Sequence, residues 1–377
     1  MANPLVRLQE VGVSPWLDNL KRDMFDGPLE RMIREDGIRG QTSNPTIFQK
    51  AISQGSLYNE SILELARAGK SAEDLVWDLM IQDVQTACDA FRPLYEASSG
   101  RDGYVSLELD PTKAHDTDGS LAQARELVPR VGRPNLMIKV PATEAGLPVA
   151  TALLAEGVNV NVTLLFSLER YGEVLDAWFA GLERRLEQGL PLAGVHSVAS
   201  FFVSRVDTEA EKRMDRRVQE EPGLRAEIDA LRGRIAVANA RLAYEHFERR
   251  VSGERWERLK AAGAAVQRPL WASTSTKNPA YSDTIYVDEL IGPACVNTMP
   301  DETIVAFRDH GTVKRTLTPE TFADAHEVLG RFAALGFDLE DITHNTLVTE
   351  GVEKFAASYL ELVDAVRAAR ERLLARA

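Results

Sequence analysis

Cysteine is nearly absent. The 377 residues hold two, Cys88 and Cys295, far apart and without CxxC or Cys/His spacing, so neither a disulfide framework nor a thiolate zinc site is expected. Long apolar runs are missing too. The opening "MANPLVRLQEVGVSPWLDNL" has no apolar core of a signal peptide, and nothing reaches spanning length; the expectation is a cytoplasmic protein with no membrane partner, in which the sequons at Asn59 and Asn161 carry no weight. Positive charge is in deficit, with 44 Lys and Arg against 57 Asp and Glu, a net −13. That argues against nucleic acid or an anionic membrane, both of which need broad positive surface. An anionic small substrate stays open, since a few local cations in a pocket override the global sign. No GxGxxG follows a strand, and no Walker lysine is present, which removes the usual nucleotide signatures of an open doubly wound sheet.

What is present is a soluble composition, 44% hydrophobic and 27% charged, over a length that suits one large barrel core with insertions across 1–377. "VSPWLDNL" reads as a short strand ending near Asp18, followed by helical periodicity over Lys21–Arg34. "GIRGQTSNP" reads as a brief strand with a turn, and Ala72–Glu96 as a long helix. "YVSLELDP" (104–111), "NLMIKVP", "VNVNVTLLF" (158–166), "GVHSVASFFVS", "RPLWAST" (268–274) and "GPACVNTMP" (292–300) supply six further strands, with helices between most of them. Eight apolar strands alternating with amphipathic helices predict an α/β (β/α)8 TIM barrel. Two segments fall outside the repeat. Residues 207–262, broken at Pro222 and Gly223, read as a highly charged helical excursion, either a solvated hairpin or the ordinary sixth helix extended outward, with an interaction surface as the alternative. Residues 349–377 read as an amphipathic C-terminal helix packed across the barrel.

Functional groups of such a barrel gather at the carboxyl ends of its strands. The polar residues there are Asp18, Asn44, Glu108, Lys139, Asn161, Thr163, Ser200, Ser275 and Lys277, with Arg205 just past the sixth strand. In strand four, Leu136, Ile138 and Val140 share one face, and Met137 and Lys139 the other. An ammonium pointing into a barrel loses solvation, which favours the nucleophilic free amine. A lysine paired with Glu108 or Asp18 without any catalysis explains Lys139 taken alone equally well. Likewise Asp18 serves equally as a helix cap. Glu108, between Leu107 and Leu109 in a covered sheet, needs a partner or a role.

Five motifs in register, "TSNPTIF" (42–48), "VSLELD" (105–110), "MIKVPAT" (137–143), "GVNVNVTLLFS" (157–167) and "SFFVSRVD" (200–207), together resemble the successive strand ends of transaldolases. The length and "VSPWLDNL" resemble the longer bacterial branch. The resemblance implies a circularly permuted class I aldolase barrel that uses no cofactor and no metal. Lys139 matches the Schiff-base lysine, and Asp18 the aspartate that takes the C4 hydroxyl proton. Glu108 matches a glutamate acting through a water held by Thr163. Asn44, Asn161 and Ser200 correspond to residues binding the dihydroxyacetone moiety, and Arg205 to a phosphate-binding arginine. The chain departs from the family at Phe201, where proline is frequent, at Ser204, where glycine is frequent, and at Lys277, which stands with Ser275 in "STSTKN" where a second phosphate-binding arginine is usual.

The implied reaction moves a dihydroxyacetone unit from sedoheptulose 7-phosphate to glyceraldehyde 3-phosphate, in the pentose phosphate pathway. The alternatives are a fructose 6-phosphate aldolase releasing free dihydroxyacetone and a non-catalytic sugar-phosphate-binding barrel. Sugar phosphates are thus the expected partners, and a homodimer is compatible with the sequence.

Overall fold

The computed structural model describes residues 3–53 and 55–376. Eight parallel strands close into a ring in sequence order. They are β1 (Val13–Asp18), β2 (Gly40–Thr42), β3 (Tyr104–Glu108), β4 (Leu136–Pro141), β5 (Val160–Leu165), β6 (Ser197–Phe202), β7 (Arg268–Ala272) and β8 (Cys295–Met299). Every strand residue except Asp18 is buried, as expected when helices cover the outside and side chains fill the inside. The expected barrel is the observed one.

Strand alternation sorts the interior into layers. Ser14, Tyr104 and Arg268 face inward at the amino-terminal end, and Trp16 with Met137 fill the middle. Asp18, Thr42, Glu108, Lys139, Thr163 and Ser200 face inward at the carboxyl end. Register fixes the neighbours: Asp18 lies opposite Thr42, Glu108 opposite Lys139, and Lys139 opposite Asn161. β2 is short and begins with glycine for a steric reason. A Cβ on Gly40 would lie 2.5 Å from the Trp16 indole, so only glycine lets that ring fill the middle layer.

Two expectations need correction. The helix over Lys21–Arg34 is instead a 3-10 turn, Arg22–Met24, followed by a helix over Pro28–Glu35. Gly27 has φ +112°, outside helical space, and Pro28 restarts the helix because the first turn requires no donor from it. Within 207–262, the helix Ile235–Arg250 is not a solvated element: Ile235 to Tyr244 are buried without interruption. It packs beneath the helix Pro319–Ala334 and against Leu168–Glu187 and Ser204–Glu220. Its charge is neutralised locally, Arg241 donating to Glu289 at 2.5 Å and to Asp324 at 3.3 Å. A run rich in alanine allowed this close packing, and charge counting overlooked it.

The C-terminal helix, Leu347–Leu374, runs across the carboxyl end of the barrel and packs on Pro45–Ser53, Asn59–Arg67 and Ala72–Ala97. Among the described residues no helix is long and apolar enough to cross a membrane.

Candidate active site

A cavity of about 460 Å³ opens at the carboxyl end of the strands, walled by strand ends, by the loops after β7 and β8, and by Lys354 and Phe355 of the C-terminal helix. Lys139 reaches it from β4. Its Nζ donates to Glu108 Oε2 at 3.0 Å and to the Ser43 carbonyl at 3.1 Å, and its side chain is 5% exposed. The β3–β4 register makes this pair, so the interior ion pair weighed from sequence is present. The Phe355 ring centroid lies 5.7 Å from the same ammonium.

Both nearby carboxylates hold protons unusually well. Burial pushes Glu108 above the ordinary range; Lys139 opposes the shift, and Asp18 reinforces it. Burial likewise raises Asp18, against the pull of Lys139 and a 2.7 Å hydrogen bond from Thr42 Oγ1. Thr42 Oγ1 also lies 2.7 Å from Thr298 Oγ1, fixing the Asp18 rotamer from two strands. Carboxyls whose environment raises their proton affinity are suited to acid–base work.

Glu108 Oε1 and Thr163 Oγ1 are both buried with no hydrogen-bond partner among the described residues. An unpaired buried polar atom costs about 1–3 kcal/mol, so two in one site call for a ligand or a water. Thr163 sits where β5 is irregular. The β5–β6 register shifts between Val162 and Leu165, and Leu164 has φ +57°, costly for a bulky residue. The bulge aims Thr163 into the barrel, and the strain at Leu164 accompanies it.

The remaining expected residues divide by position. Asn44, Ser200, Arg205, Ser275 and Lys277 line the cavity together with Asp18, Lys139 and Thr163. Asn44 Oδ1 also accepts from Ile47 N at 3.0 Å, capping Pro45–Ser53. Asn161 is fully buried one layer down. Its Oδ1 accepts from Ser200 Oγ at 2.7 Å, and its Nδ2 donates to Ser106 Oγ at 3.0 Å, so it orients Ser200 from beneath the cavity wall. Lys277 Nζ donates to Ser275 Oγ at 2.5 Å. Arg205, in the first turn of Ser204–Glu220, lies 5.1 Å over the Phe202 ring and 5.8 Å from that of Phe355. Burial lowers its pKa, with Asp18, Glu108 and Glu350 opposing.

Sequence reasoning did not find Thr42, Lys50, Thr298, Lys354 or Phe355. The threonines are ordinary strand residues until register pairs them. The other three lie on helices whose docking no local pattern records. A group with metal-like spacing, Glu169, Glu340 and His344, lies apart from the cavity, with the Arg170 guanidinium 3.5 Å from His344 Nε2.

Residues 15–366 match the family model described as Transaldolase/Fructose-6-phosphate aldolase. This chain belongs to that family. Curated relatives agree. A transaldolase of a Parafrankia strain is 50% identical over 97% of this chain and 98% of the relative. One from Mycobacterium marinum is 50% identical over 98% of each, and one from Acidothermus cellulolyticus 48% identical over 99% and 98%. The transaldolase/fructose-6-phosphate aldolase match runs from β1 into the C-terminal helix, so it takes in every cavity residue named above.

Proposed function

We propose that this protein is a transaldolase, which transfers a dihydroxyacetone unit from a ketose phosphate to an aldose phosphate through an imine on Lys139. The observation that carries the reading is the buried amine 3.0 Å from Glu108 in a cavity that Asp18 also lines. Glu108 takes the ammonium proton, a transfer that its burial-raised proton affinity favours, and the freed amine attacks the C2 carbonyl. Glu108, acting with a water held at Thr163 Oγ1, returns protons as the carbinolamine loses water. The protonated imine then draws in the electrons of the C3–C4 bond while Asp18 removes the C4 hydroxyl proton. The enamine left on Lys139 adds to the incoming aldehyde, and hydrolysis frees the new ketose.

Asn44 and Ser200, the latter oriented by Asn161, hold the three-carbon unit, while Ser275, Lys277 and Arg205 face the phosphate end. The cytoplasm is the proposed compartment. An aldolase that releases free dihydroxyacetone would use the same residues, and product analysis without an acceptor separates the two. The test of the reading is borohydride reduction in the presence of fructose 6-phosphate, followed by peptide mapping. The expected result is a dihydroxyacetone-sized adduct on Lys139; folded protein with no adduct on any lysine overturns it.

A further inference from the structure

Besides Lys139 and Lys21, which is paired with Asp23 at 3.3 Å, four cations line the cavity from four separate segments: Lys50 on Pro45–Ser53, Arg205 at the start of Ser204–Glu220, Lys277 in the loop after β7, and Lys354 on the C-terminal helix. Lys139 has Glu108 at 3.0 Å. The other four have no carboxylate within 4.0 Å among the described residues. In a chain of net charge −13, where arginines on the outer helices are repeatedly paired, this concentration of unpaired positive charge is local and specific. The four cations repel one another. Burial lowers the Lys354 pKa first, and Arg205, Lys277 and Lys50 lower it further. Asp18, Asp301 and Glu302 line the same cavity, and Asp18, Glu108 and Glu350 act on Arg205 from a distance, but none of these makes an ion pair with the four. Like charges gathered without a direct partner are costly, and a bound dianion removes the cost.

The backbone has been adapted to bring Lys354 there. On the C-terminal helix Gly351, Lys354 and Phe355 share a face, being three and four residues apart. A Cβ on Gly351 would lie 3.0 Å from Leu164 Cδ2 and 3.7 Å from Arg205 Nη1. Glycine therefore lets the helix approach the strained end of β5 and Arg205, and Lys354, one turn on, arrives at the same mouth. A lysine at position 277 is a point charge without the bidentate fork of a guanidinium, so further point charges are needed to hold a phosphate as firmly.

We infer that Lys354 of the C-terminal helix, seconded by Lys50, grips the terminal phosphate of the sugar beside Arg205 and Lys277, making that helix a determinant of substrate selection. The inference rests on the sugar-phosphate reading of the site.

The test uses the full chain as wild type, Lys354→Gln, Lys354→Arg and Lys50→Gln, with two readouts. Calorimetry measures the affinity for inorganic phosphate, and steady-state kinetics measure KM and kcat for a phosphorylated aldose. Lys354→Gln is expected to weaken phosphate binding and raise KM by about tenfold each, about 1.4 kcal/mol, with a smaller change in kcat. Lys354→Arg should stay within about threefold of wild type, since the charge is kept. Lys50→Gln should move the same two quantities in the same direction by less. Circular dichroism checks that each variant is folded, and Lys50→Gln, on a different helix, keeps the question open to decision if Lys354→Gln is not.

Undetectable phosphate binding by the wild type overturns the inference. So does phosphate affinity unchanged in both glutamine variants, or a fall in kcat with KM unmoved, which would leave Lys354 only a packing role. Failure of the transaldolase reading would appear separately, as the absence of a borohydride adduct on Lys139 in protein that still binds phosphate through Lys354.

Discussion

The two ends of the barrel bury similar chemistry and treat it in opposite ways. At the amino-terminal end Asp102 is 1% exposed. It is bound by Arg39 Nε at 2.8 Å, Arg268 Nη1 at 3.0 Å and Ser14 Oγ at 2.8 Å. Arg268 is anchored again on the Arg101 carbonyl at 2.8 Å, and Arg39 on Gln9 Oε1 at 2.9 Å. Burial pushes the Asp102 carboxyl up, but Arg268, Arg39 and Ser14 outweigh it and hold it below the ordinary range. At the carboxyl end, the buried Glu108 and the half-buried Asp18 are pushed up instead, and Glu108 Oε1 and Thr163 Oγ1 have no partner among the described residues. A carboxylate saturated with donors is a fastener. One left partly unsatisfied keeps its proton exchangeable, and the fold bears a cost at that end in exchange for chemistry.

Lys139→Arg is the sharpest way to probe the difference. It keeps the charge opposite Glu108 and removes the nucleophile, so turnover should fall below roughly one thousandth of wild type with the borohydride adduct gone and the melting temperature little changed. Appreciable remaining transfer would mean that the lysine merely fastens, as its counterparts at the other end do. Asp102→Ala should do the reverse. It strands two guanidinium groups and should cost about 3–5 kcal/mol of stability in denaturant titration, with kcat preserved below the melting range. A fall in kcat without loss of stability would break the contrast.

Asp18→Asn should lower kcat by about 10²–10³-fold, as loss of an acid–base group does, while an imine with added dihydroxyacetone still forms. It also tests the sign of the electrostatics. The folded Asp18 carboxyl keeps its proton to higher pH than its ordinary value of 3.8, so folding takes up a proton above that pH, and this contribution to stability is lost as pH rises through the folded value. The asparagine variant should gain on wild type with rising pH. Asp102 has the opposite sign: its contribution is present above 3.8 and disappears as pH falls through its lowered folded value. Melting curves across pH of wild type, Asp18→Asn and Asp102→Ala read both slopes, and equal slopes would remove the distinction. The smallest effect expected is that of Gly351→Ala, whose methyl meets Leu164 at 3.0 Å. Displacing the helix there should cost about 1–3 kcal/mol and raise KM modestly.

Much of this was legible in the sequence because strands declare themselves locally. Alternation in "NLMIKVP" separated Lys139 from Ile138 and Val140, and the order of motifs placed Glu108 one strand away, where the register now puts it. The break at Gly27 was written in "DGP" but hidden by the helical periodicity on either side. What could not be read depends on long-range docking. The close approach of Gly351 to Leu164 and the convergence of Lys50 with Lys354 join residues hundreds of positions apart. The burial of Ile235–Arg250 needs the later helix Pro319–Ala334 above it. No amphipathic pattern states which neighbour a face will meet.

The placement of Phe355 on a helix that follows the last strand sets an order of assembly. β1 pairs with β8, so a chain growing on the ribosome can close its ring only once Cys295–Met299 has emerged, and Lys139 is then in place beside Glu108. Phe355, whose ring lies 5.7 Å from that amine, is made about fifty residues later, several seconds at ordinary elongation rates. The growing chain therefore carries its nucleophile before the helix that brings Lys354 and Phe355 to the cavity.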